Sequence, residues 1–243
     1  MSYVLIVGAK SDIARAIAKE YAKHGYDLYL AARKINVLDE FANNINIKTQ
    51  RVVKLLELDI LDYERHQAFY NQLVEKPMGV ISAVGYLGDQ EKAQSNFREV
   101  NQILDTNYTG IASLFNIIAD DFEKRGSGFI VGISSVAGDR GRKSNYLYGS
   151  AKAAFTTYLS GLRNRLYEAN VQVLTVKPGF VNTQMTAKMD LPTKLTAQPE
   201  EVAKDIYDAQ NRKKDQLYTK WTWKWVMMII KMIPEFKFKK INL

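Results

Sequence analysis

The chain has 243 residues and a formal net charge of +8, and it contains no cysteine and only two histidines, His24 and His66. This length suits one α/β domain with one sizeable core. The composition excludes disulfides, thiolate metal sites and cysteine nucleophiles, and two isolated histidines argue against a zinc site.

The positive charge is concentrated at the C-terminus. Residues 1–211 hold 25 Lys and Arg against 24 Asp and Glu, whereas residues 212–243 hold 9 against 2. A nucleic-acid-binding protein more often spreads its basic face over the whole fold, so we expect no nucleic-acid partner. The first apolar run is short and ends at Gly8, with no basic region before it and no small-residue cleavage site. It predicts a strand in a cytoplasmic protein, not a secretion signal.

Apolar, strand-like runs alternate along the chain with longer amphipathic stretches. The predicted strands are Val4 to Val7, Leu28 to Leu30, Val52 to Leu58, Val80 to Val84, Phe129 to Ile133, Val171 to Val176 and Gln216 to Thr219. The predicted helices are Ile13 to Lys23, Ile35 to Asn44, Tyr63 to Glu75, Asn96 to Lys124 and one that contains Tyr148 and ends near Ala169.

Strands that are apolar on both faces and separated by helices predict a parallel sheet covered on both sides. We therefore predict an α/β fold with a single doubly wound Rossmann-type domain over residues 1–220. Its parallel sheet has seven strands and is flanked by helices. A short, basic, amphipathic C-terminal tail follows over residues 221–243.

The first predicted strand ends at a turn that reads Gly8-Ala9-Lys10-Ser11-Asp12-Ile13 and leads into a helix. A glycine at a strand-to-helix turn lets the backbone approach a pyrophosphate, which then lies at the helix N-terminus. The turn therefore supplies candidate cofactor contacts. On this segment alone, an ordinary βα turn is an equally good interpretation.

The second predicted strand ends at Ala31-Ala32, without the carboxylate that NAD-dependent enzymes usually place there. Arg33 and Lys34 follow directly, and Lys10 is predicted to lie nearby. These cations suit the 2′-phosphate of NADPH, which makes NADPH the preferred cofactor. The same residues also fit a solvated basic turn.

Two further segments at predicted strand ends are candidate cofactor contacts. Asp59 ends the third strand and is a candidate acceptor for the adenine amino group, with Ile60 directly after it. The segment Ala83-Val84-Gly85 follows the fourth strand, and its glycine leaves room for the adenosine ribose. Both segments are expected at the carboxyl ends of strands, where doubly wound folds bind their ligands.

Tyr148 and Lys152 stand four residues apart in a predicted helix, so both side chains emerge from one face. A free phenol has a pKa of about 10, and a neighbouring cation stabilises the phenolate and lowers that pKa. Such a phenol is a proton donor for a carbonyl substrate. By itself, this spacing more often marks a solvated surface pair.

Together these segments resemble the short-chain dehydrogenase/reductase superfamily over nearly the whole chain. The matching positions are the Gly8 turn, Asp59, Ala83-Val84-Gly85, Asn107, Ser134-Ser135, Tyr148, Lys152 and Pro178-Gly179 with Thr183. The family's catalytic serine lies thirteen residues before its tyrosine, which selects Ser135. Asp12 and Ala14 depart from the family pattern, because they occupy the second and third positions of its glycine-rich turn. We expect Asp12 to cap the first helix with its charge pointing away from the pyrophosphate.

The resemblance implies hydride transfer from NADPH to a ketone. Tyr148 would donate the proton, Ser135 would orient the carbonyl oxygen, and Lys152 would keep the tyrosine acidic and bind the nicotinamide ribose. Asn107 would anchor a water connecting Lys152 to solvent, although a polar residue at a helix irregularity is the simpler interpretation. The cofactor contacts implied after the last long strand are Pro178, Gly179, Val181 and Thr183, with Thr183 on the nicotinamide carboxamide.

A narrower resemblance is carried by Tyr86 to Gln90, Asn107-Tyr108-Thr109, Ser134 to Arg142, Ser144-Asn145-Tyr146, and Trp225 to Met228 with Ile233-Pro234. These segments are similar to the decaprenylphosphoryl-2-keto-ribose reductases, which work with a flavin oxidase to epimerise a polyprenyl-phosphate-linked pentose to the arabinose form. The resemblance implies a lipid-linked keto-sugar substrate and a flavin oxidase partner. Two alternatives stay open: a reductase for another lipid-like or soluble carbonyl compound, such as a keto-sphingoid or an acyl aldehyde, and a catalytically silent NADPH-binding scaffold.

The tail holds three tryptophans beside lysines between Trp221 and Ile233, and this stretch is too short and too charged to span a bilayer. We predict peripheral contact with the inner face of the membrane. A dimer contact and a cover over the substrate pocket are the alternatives. Gln184 to Gln198 is a candidate lid, although ordinary packing explains its methionines equally well. The family resemblance implies a homodimer or homotetramer formed through the Asn107 and Tyr148 helices.

Overall fold

The structure is a computed structural model that describes residues 2–187 and 189–241. Three sequence predictions extend beyond these ranges. The predicted domain begins at Met1, the candidate lid includes Lys188, and the tail includes Asn242 and Leu243, so these four residues lie outside the described part of the chain.

Seven parallel strands form one sheet, as the alternating apolar runs predict. In chain order the strands are β1 (Tyr3–Val7), β2 (Asp27–Ala32), β3 (Val53–Glu57), β4 (Gly79–Ser82), β5 (Gly128–Ile133), β6 (Val171–Pro178), β7 (Phe180–Val181), β8 (Thr196–Ala197) and β9 (Gln216–Thr219). The sheet has the order β3-β2-β1-β4-β5-β6-β9, and β7 pairs with β8 apart from it. Strands β2 and β3 are added on one side of β1, and β4 and the later strands are added on its other side. Folds of this kind bind their ligands where the strand order reverses, here at the carboxyl ends of β1 and β4.

The β1 strand shows why the sheet is buried on both faces. All five of its residues are buried, and successive side chains of a strand point to opposite faces. Val4 and Ile6 enter one apolar core, whereas Tyr3, Leu5 and Val7 enter the other. The central strand therefore contributes to both cores, as its continuous apolar run predicts.

Helices close both cores. In chain order they are α1 (Asp12–Lys23), α2 (Asp39–Thr49), α3 (His66–Asn71), α4 (Gln90–Ala93), α5 (Phe97–Leu104), α6 (Gly110–Arg125), α7 (Tyr146–Leu166), α8 (Pro199–Asn211), α9 (Thr222–Met232) and α10 (Glu235–Phe238). Helices α1, α2 and α8 pack into one core, and α3, α6 and α7 pack into the other. This arrangement confirms the predicted doubly wound fold.

Two predicted helices are shorter or less regular than expected. The predicted helix Tyr63 to Glu75 contains only one turn of 3-10 helix and the short α3. Lys76 Nζ donates to the carbonyl oxygen of Asn71 at 3.2 Å. This side chain supplies the hydrogen bond to a terminal carbonyl group that a further helical turn would otherwise supply. The predicted helix Asn96 to Lys124 divides into α5 and α6 around a π-helical turn at Asp105–Thr109.

The tail helix α9 packs on the body of the protein through one face. Trp223 and Met227, four residues apart on that face, are 4 % and 0 % exposed. They form an apolar cluster with Val136 and Phe180, which belong to the body. The indole lies so close to Gly179 that a β-carbon there would overlap it. The first part of the tail is therefore built into the fold.

Arg140 fixes the other end of α9. Its Nη1 atom donates to the carbonyl oxygens of Ile230 and Ile233 at 3.2 and 2.8 Å, and its Nη2 atom donates to the Glu235 carboxylate at 2.8 Å. The last carbonyl groups of a helix lack intrahelical partners, so the guanidinium caps the helix. Within residues 2–187 and 189–241, no helix is long and apolar enough to cross a bilayer.

Candidate active site

Two adjoining cavities open at the carboxyl ends of the parallel strands. The smaller has a volume of about 190 Å³ and the larger about 380 Å³. They share Lys10, Ser11 and the segment Ala83–Gly85, so one extended ligand can occupy both. The predicted site residues that line them are Gly8, Lys10, Ser11, Asp12, Ile13, Arg33, Asp59, Ile60, Ala83, Val84, Gly85, Ser135, Tyr148, Lys152, Pro178, Gly179, Val181 and Thr183.

Gly8 lies where the first strand-to-helix turn passes closest to the segment after β4. Its φ of +81° is in the left-handed region, and a β-carbon there would lie 2.8 Å from the backbone nitrogen of Val84. Glycine alone tolerates both conditions. Because Gly8 lines the smaller cavity, the turn presents backbone there and leaves space that a side chain would fill.

Ser11, and not Asp12, caps α1, which corrects the expectation from the sequence. Ser11 has extended backbone angles, and its hydroxyl accepts from the Ala14 nitrogen at 3.2 Å. Asp12 is already the first helical residue, so its carboxylate is free for another donor. It accepts from the Gln184 nitrogen at 2.8 Å and thereby holds the start of the candidate lid.

The basic turn after β2 borders the smaller cavity through Arg33, whereas Lys34 does not line it. Arg33 Nη1 lies 3.9 Å from the carboxylate of Asp59. Glu57 at the end of β3 accepts from the Lys34 and Ile35 nitrogens at 2.7 and 3.0 Å, and these backbone bonds lower the pKa of its carboxyl group. Sequence reasoning missed Glu57, although its place at the end of a strand was a usable signal.

Tyr148 and Lys152 lie in the first two turns of α7, and both line the larger cavity. Lys152 Nζ is 5.7 Å from the centre of the Tyr148 ring. The lysine is 2 % exposed, and its Nζ donates to the carbonyl oxygen of Ile133 at 3.0 Å. The structure thus brings the predicted pair together beside the end of β5.

Burial shifts the pKa values of these two groups in opposite directions. It raises the pKa of Tyr148 to about 12, against which a hydrogen bond with Ser135 acts, and it lowers the pKa of Lys152 to about 7. Low-dielectric surroundings disfavour the charged form of each group. The net shift of the Tyr148 pKa is therefore upward, opposite to the lowering expected from Lys152, because burial is its largest cause.

The two adjacent serines have different roles. Ser134 is buried, and its hydroxyl donates to the carbonyl oxygen of Lys152 at 2.9 Å and bonds with Thr156 Oγ1 at 2.7 Å. It therefore ties α7 to β5. Both serines line the larger cavity, but Ser135 is half-buried and hydrogen-bonds the Tyr148 hydroxyl. This geometry favours Ser135 as the serine that faces a ligand.

Asn107 is fully buried in the π-helical turn and lines neither cavity. Its Nδ2 donates to the carbonyl oxygens of Tyr86 and Ile103 at 2.6 and 2.8 Å, and its Oδ1 accepts from the Tyr86 nitrogen at 3.1 Å. A β-carbon at Gly85 would lie 3.6 Å from Asn107 Oδ1 and 3.9 Å from Lys152 Nζ. Asn107 therefore holds the backbone at Tyr86, and its Oδ1 and Lys152 Nζ both lie close to the space beside Gly85.

Several other residues line the larger cavity, of which only Met185 and Met189, in the candidate lid, were expected near the substrate from the sequence. Arg142 and Asn145 come from the loop between β5 and α7. The others are apolar and come from the segments that follow β4 and β6: Leu87, Phe180 in β7, Met185 and Met189. Their residue types carry no signal, but the loops after these strands could have been searched on topology alone. The two methionines place the start of the candidate lid at the cavity.

The inner face of α9 supports the wall of this cavity. The rings of Phe180 and Trp223 meet edge to face with centroids 5.3 Å apart. Trp223 Nε1 also donates to the carbonyl oxygen of Leu195 at 2.9 Å. The tail helix therefore lies behind the cavity wall, and its outer face, with Trp225 and Ile229, is exposed.

Comparison with known proteins places this site in a family context. A family model described as short chain dehydrogenase matches residues 2–193. An uncharacterised oxidoreductase of Mycobacterium tuberculosis is 32% identical over 241 residues, which cover 98% of this chain and 96% of the relative. An uncharacterised oxidoreductase of Streptomyces coelicolor is 29% identical over 243 residues, which cover 98% of this chain and 95% of the relative.

Solved structures share the fold. A short-chain dehydrogenase from Sphingobium yanoikuyae in complex with NADPH has a TM-score of 0.83 at 22% identity, with 97% of both chains covered. A bulky-bulky ketone specific alcohol dehydrogenase from Comamonas testosteroni has a TM-score of 0.81 at 21% identity, with 97% of this chain and 96% of that chain covered.

Proposed function

The chain belongs to the short-chain dehydrogenase family of oxidoreductases, and from this premise we propose that it is an NADPH-dependent ketoreductase. The observation that carries the proposal is the meeting of Tyr148, Ser135 and Lys152 in one cavity. That cavity is continuous with the space beside the Gly8 turn.

The residues around the two cavities fit NADPH. The space at Gly8 that a β-carbon would fill admits a pyrophosphate beside the N-terminus of α1. Arg33 at the other end of the smaller cavity suits a 2′-phosphate, and β2 ends in Ala32 without a carboxylate. Lys10 and Asp59 complete the adenosine end, and Thr183 lies at the nicotinamide end. NADPH supplies the hydride when it is bound.

Tyr148 is the proton donor in this proposal. With a pKa of about 12 its phenol stays protonated at neutral pH, so it donates to a carbonyl oxygen and does not act as a base. Ser135 bonds the phenol in this structure, and its single hydroxyl proton turns to the same carbonyl oxygen when a ketone binds. A preorganised donor of this kind contributes about 3 kcal/mol to transition-state stabilisation. Lys152, with a pKa of about 7, returns a proton to the phenolate.

We further propose that the substrate is a polyprenyl-phosphate-linked pentose with a 2-keto group, and that its reduction leads towards the arabinose form. Support comes from the apolar residues of the larger cavity, which include Leu87, Phe180 and Met185. Met185 and Met189 are also partly exposed at its edge. Flexible thioether side chains adapt to an irregular lipid chain. By analogy with the resembling reductases, a flavin oxidase is the proposed partner.

The proposed site of action is the inner, cytoplasmic face of the membrane. On the outer face of α9, Trp225 is 52 % exposed and Ile229 is 61 % exposed. Nine cations against two acids in residues 212–243 suit an anionic lipid surface. A helix with aromatic and aliphatic residues beside lysines binds in the interface plane without spanning it. By family analogy we also propose a homodimer or homotetramer.

The test uses the full chain with NADPH and a polyprenyl-phosphoryl 2-keto-pentose, with cyclohexanone and dihydroxyacetone in parallel. Loss of NADPH absorbance measures turnover, and mass spectrometry and NMR identify the product. We expect the keto-pentose to be reduced far faster than the simple ketones and to give the arabinose configuration. Faster reduction of the simple ketones would reject the substrate, and no oxidation of bound NADPH with any of the three ketones would reject the ketoreductase.

A further inference from the structure

Arg142 and Asn145 line the larger cavity, and each carries a buried polar atom that, among the described residues, lacks a hydrogen-bond partner. Within the described part of the chain, Arg142 Nε and Asn145 Oδ1 are buried and have no hydrogen-bond partner. Both residues line the cavity together with Ser135 and Tyr148. Buried polar atoms nearly always have partners, and an unpaired one is costly. An unpaired donor and an unpaired acceptor on two residues of one cavity wall therefore point to a ligand that binds at this wall.

Among residues 2–187 and 189–241, no carboxylate is hydrogen-bonded to the guanidinium of Arg142. The neighbouring acid, Asp139, is satisfied by other groups, because it accepts from Lys177 Nζ at 2.7 Å and from the Tyr218 hydroxyl at 2.6 Å. Arg142 Nη2 donates to Met227 Sδ at 3.4 Å, and a thioether sulfur is a weak acceptor. The arginine thus offers a positive charge and strong donors to the cavity.

The other charged residues of the larger cavity belong to the cofactor end or are hydrogen-bonded within the protein. Lys10 and Asp12 belong to the turn at the cofactor end, and the Asp12 carboxylate is bonded to the Gln184 nitrogen. Lys152 is paired with the carbonyl oxygen of Ile133. Arg142, on the loop between β5 and α7, is therefore the charged group at the substrate end of the cavity, and it favours an anionic ligand.

We propose that Arg142 and Asn145 form a subsite for a carbonyl substrate that carries a phosphate and a hydroxyl group. The planar guanidinium binds phosphate oxygens through paired N–H donors, and the Asn145 amide oxygen accepts from a hydroxyl group. This inference rests on the proposed ketoreductase function and names the residues that select its substrate class. A free sugar phosphate and a lipid-linked phosphate share this chemistry.

The contact between Arg142 and Met227 places the subsite beside the tail helix. Met227 is fully buried in the inner face of α9, whereas Trp225 and Ile229 lie exposed on the outer face. A phosphate at Arg142 would therefore lie beside the inner face of α9. The same helix would then position the phosphate subsite and meet the membrane from which the substrate comes.

The test measures binding and needs no turnover. Calorimetric titration of the NADPH-saturated full chain compares farnesyl phosphate, farnesol and dihydroxyacetone phosphate. We expect farnesyl phosphate to bind about 10- to 100-fold more tightly than farnesol, as one charged hydrogen-bonded contact provides. Arg142→Met should remove that preference, and Arg142→Lys should retain part of it. Lys143→Met removes the adjacent, exposed cation and should leave the preference unchanged.

Each outcome bears on the subsite separately from the proposed function. Equal affinity of the parent protein for farnesyl phosphate and farnesol, or a preference that survives Arg142→Met, would overturn the subsite. If dihydroxyacetone phosphate binds and its binding depends on Arg142, the subsite accepts free sugar phosphates. If only farnesyl phosphate binds in this Arg142-dependent way, the subsite accepts lipid-linked phosphates. Should Arg142→Met fail to bind NADPH, Arg142→Lys decides, because it keeps the charge. A chain that binds phosphate through Arg142 but reduces no ketone would refute only the ketoreductase.

Discussion

Lys152 lies one helical turn after Tyr148, with its Nζ atom 5.7 Å from the centre of the tyrosine ring. The same nitrogen donates to the carbonyl oxygen of Ile133, which ends β5. Burial keeps the phenol protonated and leaves the amine with a pKa of about 7. The pair is therefore a proton donor backed by a group that gains and loses a proton near neutral pH. An amine buried in this way costs stability.

Lys152→Met should stabilise the protein at and below neutral pH. The pKa of Lys152 is about 7 in the folded chain and about 10.4 in the unfolded chain. Between these values the unfolded chain binds more protons, so the lysine makes stability rise with pH. Below pH 7 both states are protonated and the cost of burying the charge, a few kcal/mol, is fully present. Thermal unfolding of the variant should show a raised midpoint below pH 7 and a flatter rise above it.

Lys177 is the matched control for this prediction. It is as buried as Lys152, but its Nζ is paired with Asp139 at 2.7 Å. Lys177→Met would leave a buried carboxylate without its cation, which costs about 3–5 kcal/mol. The two substitutions should therefore shift the unfolding midpoint in opposite directions. Shifts of the same sign would show that Lys152 is not an uncompensated charge.

Asn107→Leu should weaken both the fold and cofactor binding. The amide makes three bonds to the backbone of Tyr86 and Ile103, and stranded buried groups cost about 1–3 kcal/mol each. Because the neighbouring Gly85 lines both cavities, NADPH affinity should fall with stability. Denaturant unfolding and NADPH titration measure the two effects. Gln102→Leu, which loses one bond to Thr106, should change neither by much, and an equal effect of both variants would count against this role of Asn107.

Arg33→Ala should reduce the preference for NADPH over NADH. The guanidinium lines the smaller cavity, and loss of a charge-assisted contact to a phosphate should lower kcat/KM for NADPH about 10- to 100-fold. NADH lacks the 2′-phosphate, so its kcat/KM should stay nearly constant. Arg65→Ala is the control, because Arg65 is an exposed arginine paired only loosely with Asp62 at 4.0 Å. An equal loss with both cofactors would show that Arg33 does not read the phosphate.

Membrane binding should depend on the outer face of α9. The double substitution Trp225→Ser and Ile229→Ser removes exposed apolar surface without touching buried Met227, so NADPH affinity should be retained. In sedimentation with anionic vesicles, the parent chain should pellet with the vesicles, and the pelleted fraction should fall as the salt concentration rises. Little of the variant should pellet. Val74→Ser and Phe97→Ser remove exposed apolar groups outside the tail and should pellet normally. Pelleting of the α9 variant at the parent level would exclude this face as the anchor.

Much of the fold follows from patterns that are local in sequence. The five apolar residues of β1 predict a strand buried on both faces, and the helical stretches between such strands predict parallel pairing. The positions at strand ends, such as Gly8, Asp59 and Gly85, then fall around one crevice because topology places them there. The first and last residues of the helices were less predictable, because they depend on hydrogen bonds from side chains such as Lys76, which bonds the end of α3.

The chemical environment of the site was harder to predict. The pKa of Tyr148 depends on how deeply α7 is buried, and spacing along a helix does not report burial. Ser11 and Asp12 are equally good caps by residue type, and the backbone angles at Ser11 decide between them. Arg142 is one of many arginines in the sequence. Its unpaired nitrogen is visible only when Asp139 is seen to bind Lys177 instead.

Tyr148→Phe tests the central claim most directly, because it removes one hydroxyl and keeps the ring. NADPH titration and NADPH oxidation with a reducible ketone are measured on the same preparations, with Tyr146→Phe, an exposed tyrosine at the start of α7, as the control. We expect Tyr148→Phe to bind NADPH as tightly as the parent chain and to lose turnover by about 100- to 10,000-fold, while the control keeps both. A Tyr148→Phe protein that reduces the ketone at the parent rate would contradict the central claim.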